Sequence, residues 1–275
     1  MTARPDEGLT VDRNTAVLAK INEWSEALGN VTNDIIGRTH VFLDGTRQSC
    51  RTGECNIGNF ITDVILWQVI SFPDEEEWNE VAIVVYNSGG IRNSIGQGEI
   101  SLGDVLTVLP FGNTIDVLDL QGRYVKEMLE HSVANWVPDE LDGAFLQMSG
   151  IWVTYDITRD VGDRVVEVLV RCTDCDVPRF LPLDTEKMYK IALNTFIADG
   201  GDGYDVFVEN GQNRYSGNLA ASTVAEYIEV FSPIYPGIDR RITFLDSAMP
   251  CNVAHVLVFQ PVMLLFLGLY AILVF

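Results

Sequence analysis

Apolar and polar positions repeat with two periods along this chain, and the switches between them mark its elements. Val17, Ile21, Trp24 and Leu28 fall at i, i+4, i+7 and i+11, one stripe of a helix that Gly29 closes. Residues 39–43 read as a short strand ending at Asp44-Gly45. Residues 59–70 are strongly apolar and long enough for a buried helix. Residues 81–86 form an unbroken apolar run, the pattern of a strand covered on both faces. Residues 114–120 alternate as a strand, and residues 122–133 put Val125, Met128, Leu129 and Val133 on one helix face. Further strands are predicted at 151–155, 164–170, 188–195 and 241–245, with a helix at 219–231. Strands and helices mix without strict βαβ alternation. The fold class is therefore α+β, with mixed sheets flanked by helices. There is no internal repeat, and Asp74-Glu75-Glu76-Glu77 reads as a solvated loop.

Length and charge narrow the picture. A chain of 275 residues makes one large domain or two small ones, with ample apolar surface for a core. Its 39 acidic residues against 18 Lys and Arg give a net charge of −21. Such a surface repels phosphate backbones and anionic lipid, so nucleic-acid binding is excluded. The three histidines, His40, His131 and His255, are widely scattered, which argues against a histidine-rich metal site.

Cysteine spacing bears on compartment. Cys50 and Cys55 lie close together, Cys172 and Cys175 form a C-x-x-C, and Cys251 stands apart. Two close pairs fit two local disulfides and an oxidising compartment. A zinc site shared between the pairs, or a redox role for the C-x-x-C, are the alternatives. The segment after Cys175, Asp176-Val177-Pro178, does not open a helix as a thioredoxin-like motif would. Asn30-Val31-Thr32 is a glycosylation sequon, making Asn30 a candidate glycosylation site.

The two ends carry their own signals. Residues 256–275 hold no charge, and only Gln260, Pro261 and Gly268 fall outside the apolar set. Ser247-Ala248, a short uncharged spacer and this tail match a GPI-attachment signal, with Ser247 as the candidate lipidation site. A tail-anchored helix is the rival, which Gln260-Pro261 weakens. The first seven residues are polar, with no apolar core of a signal peptide. A GPI signal requires entry to the secretory pathway, so the expectation is that the chain is the C-terminal part of something longer.

Four segments carry candidate chemistry. In Tyr86-Asn87-Ser88-Gly89-Gly90-Ile91-Arg92, a buried strand ends in Asn and two glycines, which let backbone approach a ligand. Arg92 there offers a planar fork for phosphate or carboxylate; the plainer reading is a tight turn with a surface arginine. In Asn194-Thr195-Phe196-Ile197-Ala198-Asp199-Gly200-Gly201-Asp202-Gly203, a second strand runs into a glycine-rich loop where Asp202 is placed to accept from sugar hydroxyls. A calcium loop fails on spacing, since Asp199, Asp202 and Asp205 step by three and position 210 is Asn. Phe111, between Pro110 and Gly112, sits poorly for core packing and well for stacking on a planar ligand; taken alone, core or loop packing is the plainer reading. A small disulfide loop from Cys50 to Cys55 would fix the direction of Arg51; the plainer reading is a surface arginine. No G-x-x-x-x-G-K-[ST], G-x-S-x-G, D-x-H or G-N-H-[DE] occurs, so no self-sufficient catalytic constellation is present.

Taken together, CRTGECNIGN, NSGGIR, GEISLGDVLTVLPFGNT, RCTDC and FIADGGDGY resemble the C-terminal domain of the ecto-5'-nucleotidases, in order and approximate spacing from about Thr10 onward. The resemblance implies a domain layout of an interdomain linker helix remnant (1–30), a substrate-binding domain (31–246) and a GPI-attachment tail (247–275). It implies base stacking between Phe111 and Phe196, ribose binding by Asp202, a base contact from Asn87 and phosphate orientation by Arg51 and Arg92. It implies the pairings Cys50–Cys55 and Cys172–Cys175. It places two zinc-type divalent metals on an N-terminal catalytic domain, leaving no cofactor on this chain. The implied partner is a nucleoside monophosphate such as AMP. The implied setting is the extracellular face of the plasma membrane, through a GPI anchor, with homodimers usual in the animal branch. Alone, such a chain is expected to be inactive. Its alternative role is a nucleotide-binding or dimerisation module without activity.

Overall fold

The computed structural model describes residues 32–70, 79–137 and 140–245. In chain order its elements are β1 (Ile35–Thr39), α1 (Arg47–Cys50), α2 (Asn56–Ile70), β2 (Val81–Asn87), β3 (Gly98–Ser101), α3 (Leu102–Val108), β4 (Thr114–Gln121) and α4 (Gly122–Ser132). There follow β5 (Leu146–Ser149), β6 (Ile151–Tyr155), β7 (Val165–Arg171), β8 (Phe180–Pro182), β9 (Met188–Asn194), α5 (Thr195–Ala198), α6 (Asp205–Asn210), β10 (Gln212–Leu219), α7 (Ala220–Phe231) and β11 (Ile242–Phe244). The α+β expectation holds.

A mixed five-stranded sheet in the order β10-β4-β9-β2-β5 forms the middle layer. Its central neighbours β2 and β9 run parallel, and its other pairings are antiparallel. Ile83 and Val85 of β2 point to one apolar cluster and Val84 and Tyr86 to another. This is why β2 is apolar throughout rather than alternating: every residue of it is buried. On one face, α2 supplies Ile57, Phe60, Ile61, Val64 and Ile65, joined by α3 and α7. On the other, Val125, Met128 and Leu129 of α4 pack with Ile151, Val153, Val168 and Val170 of a second sheet. That sheet has the order β11-β6-β7-β8, and β1 pairs with β3 in a third, two-stranded one.

Two expectations shift and one strand was not foreseen. The strand predicted at 39–43 lies earlier, at Ile35–Thr39. The Thr39 hydroxyl accepts from the Val41 N–H at 3.1 Å, which turns the chain out of the strand. Helix α2 begins at Asn56 rather than 59, and the Asn56 side chain accepts from the Asp44 N–H at 2.8 Å. Strand β10, exposed along its whole length and polar apart from Tyr215 and Leu219, gave no periodic signal and was not predicted. The predicted helix at residues 17–28, Asn30 and the apolar tail with Ser247 lie outside the described residues. Among the described residues, no helix is long and apolar enough to cross a membrane.

Candidate functional site

The site forms where β2 and β9 end side by side. Parallel neighbours deliver their carboxyl ends to the same edge of the sheet, where open α/β folds characteristically bind ligands. Asn87 closes β2 and Asn194 closes β9, and both are buried. Asn194 caps α5, its Oδ1 accepting from the Ile197 N–H at 3.1 Å. Its Nδ2 donates to Asn87 Oδ1 at 2.8 Å, and Asn87 Nδ2 donates to Asp202 Oδ2 at 2.6 Å. The donors all point one way, from the Phe196 turn to the Asp202 carboxylate.

Arg51, Asn87, Arg92, Phe111, Phe196 and Asp202 all line one cavity of about 440 Å³, completed by Gly89, Gly90, Asn113 and Gly143. Residues as far apart in the chain as 51 and 202 are brought together. Phe111 is 57% exposed and Phe196 44%, so neither ring is spent on the core. The Arg92 guanidinium lies 5.5 Å from the Phe111 ring centroid and donates to the Gly89 carbonyl at 3.1 Å. Gly89 and Gly143 meet backbone to backbone: the Gly89 N–H donates to the Gly143 carbonyl at 2.8 Å, and a Cβ on Gly89 would sit 3.1 Å from Gly143 Cα.

Arg51 is held by its surroundings. The Cys50–Cys55 disulfide closes the loop that bears it. Gln147, fully buried on β5, moors that loop through donation to the Cys50 carbonyl at 2.8 Å and the Gly53 carbonyl at 2.7 Å. Arg51 Nη1 donates to the Leu141 carbonyl at 2.8 Å, while its buried Nε has no partner among the described residues. Burial, followed by the positive charges of Arg47 and Arg92, pushes its pKa down, against the pull of Asp202 and Asp142. Two guanidiniums at one cavity, one of them partly desolvated, make a site that gains from an anion.

A second network fixes the Phe196 turn. Asp116, fully buried on β4, accepts from Thr114 at 2.8 Å, from Thr195 at 2.8 Å and from Arg214 Nε at 2.8 Å. Arg214 also reaches Asp199 at 2.8 Å and the Ala198 carbonyl at 3.0 Å. Burial alone would raise the Asp116 pKa, but hydrogen bonds from Thr114, Arg214, Thr195 and Ser216 outweigh it and hold the group below its ordinary 3.8.

The comparisons with known proteins now decide the family. The 5'-nucleotidase C-terminal domain family matches residues 30–209. The chain belongs to that family. It is 40% identical over 243 residues to a snake venom 5'-nucleotidase of Macrovipera lebetinus, covering 87% of this chain and 59% of that protein. It is 38% identical over 264 residues to a 5'-nucleotidase of Bos taurus, covering 95% and 46%. The chain thus spans about half the length of these relatives. Among solved structures it is similar to a 5'-nucleotidase precursor from Thermus thermophilus, with a TM-score of 0.74 and 34% identity over 85% of this chain and 44% of that one. An NAD nucleotidase from Haemophilus influenzae shares the fold, at TM-score 0.67 and 21% identity over 84% and 41%.

Two other features of this 5'-nucleotidase C-terminal domain bear on chemistry. A larger cleft, about 670 Å³, is lined by the RCTDC motif with its Cys172–Cys175 disulfide and by none of the six candidate ligand-binding residues. Within it Lys187 pairs with Asp174 and Lys190 with Glu80. Among the described residues, the one group of three potential metal ligands within 4.8 Å is Cys172, Asp174 and Cys175. Both sulfurs are bonded to each other, so these residues do not fit a two-metal phosphoesterase site.

Sequence reasoning passed over Asn113, Gly143 and Asn194 as site residues. Asn113 was legible as the end of the Phe111 loop, and its side chain hydrogen-bonds the Tyr86 phenol, which burial pushes up to about 12. Asn194 was legible as a capping residue at a strand end. Gly143 carried no signal.

Proposed function

We propose that this chain is the substrate-binding portion of a 5'-nucleotidase that hydrolyses nucleoside 5'-monophosphates such as AMP. Phe111 and Phe196 stack on the base, Asp202 accepts from the ribose diol, and Arg51 and Arg92 hold the phosphate. Asn87 keeps one amide hydrogen for the base while the rest of its amide aims Asp202. The observation that carries this reading is the shared cavity: two exposed rings, one carboxylate and two crowded guanidiniums match the three parts of a nucleotide in chemistry and number. Stacking contributes about 1–3 kcal/mol per base, and a charge-assisted contact about 1.5–3 kcal/mol. After the cost of association, binding to this chain alone is weak, on the order of millimolar.

Hydrolysis in this reading is completed by a metal-bearing N-terminal domain, since the described residues offer no fitted donor set. Two disulfides support an extracellular setting. Glycosylation at Asn30, GPI attachment at Ser247, membrane anchorage and homodimerisation belong to the same proposal.

Ligand-observed NMR titration of the purified chain tests the reading. AMP is expected to bind more tightly than adenosine, and Arg51→Ala with Arg92→Ala to erase that difference. No binding of AMP above that of inorganic phosphate sinks the proposal.

A further inference from the structure

We propose that His131 is a positioning residue that sets the preference of this site for a ribose over a 2'-deoxyribose. The inference rests on the reading of Asp202 as the acceptor for the ribose diol.

Asp202 sits at φ 54° and ψ 22°, in the left-handed region that non-glycine residues avoid. Such a conformation persists only where the surroundings hold it. In front, Asn87 donates to its carboxylate at 2.6 Å. Behind, His131 Nε2 lies 2.9 Å from its backbone carbonyl oxygen. A carbonyl only accepts, so Nε2 carries the hydrogen and donates. The His131 ring, in the last turn of α4, meets Tyr204 edge-on at 4.5 Å between centroids. Tyr204 is itself fully buried and donates to the Ala144 carbonyl at 2.5 Å. Between them Gly203, at φ 80°, leaves room for the imidazole: a Cβ there would stand 3.1 Å from His131 Cε1.

His131 does not line the cavity. It acts through one peptide carbonyl, on the residue whose carboxylate faces the ligand. Phe111 and the two arginines sit on other segments, and Phe196, though on the same turn, is held by the Asn194 cap and the Thr195–Asp116 bond, so losing His131 leaves the base and phosphate contacts in place. What is lost is the aim of Asp202, and with it the contact that a 2'-hydroxyl makes and a 2'-deoxyribose cannot.

The test is an NMR titration of the full chain with AMP and with 2'-deoxy-AMP, for the native sequence, His131→Ala and His131→Gln. The native chain is expected to favour AMP by roughly tenfold, the worth of a hydrogen bond to a charged group. His131→Ala should bring the ratio toward one, with 2'-deoxy-AMP, which has only a 3'-hydroxyl contact to lose, weakened less than AMP, and an unchanged thermal midpoint shows that the variant is folded. His131→Gln, which keeps an N–H at similar reach, should recover most of the preference. An Ala variant that keeps the native ratio, or that loses both ligands equally, overturns the role of His131. A native chain that binds both ligands equally overturns the diol reading of Asp202 itself, and the proposal falls with it.

Discussion

Asn87 and Asp202 are 115 residues apart in sequence and joined by a hydrogen bond of 2.6 Å. One closes a core strand; the other sits at the tip of a glycine-rich turn. The bond ties the turn to the most buried part of the molecule, and Asn194 extends it to the neighbouring strand. Asn87→Ala removes the partner of Asn194 Nδ2 and the amide that the Asp202 carboxylate accepts from. A stability loss of about 1–3 kcal/mol is expected, measured by urea denaturation. Asn87→Asp should cost more, because it sets a second carboxylate against Asp202.

The two exposed rings predict a separation of binding from stability. Phe111→Ala and Phe196→Ala should each weaken AMP binding by roughly tenfold, within the range of one stacking face. Both should leave the thermal midpoint nearly unchanged, since these rings are about half exposed. A large drop in midpoint with unchanged affinity would assign them to packing instead.

The disulfide loop predicts a different split. Cys50→Ser with Cys55→Ser opens a loop of sequence separation 5, worth about 2 kcal/mol by chain entropy. It should also loosen Arg51, weakening AMP while sparing adenosine. Equal weakening of both ligands would show that the loop supports the whole cavity rather than its phosphate end.

Asp116 predicts an acid profile. Its folded pKa lies below the ordinary 3.8, so its contribution is complete well above that pH. The contribution is lost as pH falls through the lowered folded value. Asp116→Asn should cost about 2 kcal/mol at neutral pH, less than a fully buried pair because Arg214 is about a third exposed. The variant's stability should then fall less steeply below pH 3.8 than the native protein's. Denaturation series across pH 2.5–7 give both numbers.

How far the sequence anticipated this structure depends on whether a residue acts locally or through a distant partner. The buried run at β2 and the α4 stripe were readable because each depends on neighbours in the chain. Arg51, Arg92, Phe196 and Asp202 were legible as members of motifs, and the resemblance assembled them into one site. Gln147, Asn194 and Gly143 were not read as members of the site, since each acts on a segment tens of residues away. Strand β10 was silent for another reason: it is exposed throughout and mostly polar, and its pairing with β4 makes it a strand. Yet its Arg214 clamps the turn that carries Phe196.

The parallel pair β2 and β9 lies inside the sheet, bonded along both edges and covered on both faces. Amides there should be among the slowest to exchange with deuterium, opening only when the whole domain unfolds. Asn87 and Asn194 stand at the last rungs of that ladder. The side chains that direct Asp202 and the Phe196 turn are therefore frozen when the chain folds, long before any ligand arrives. A nucleotide docking there orders little beyond its own torsions and the two exposed rings, and its association rate should show no slow rearrangement step.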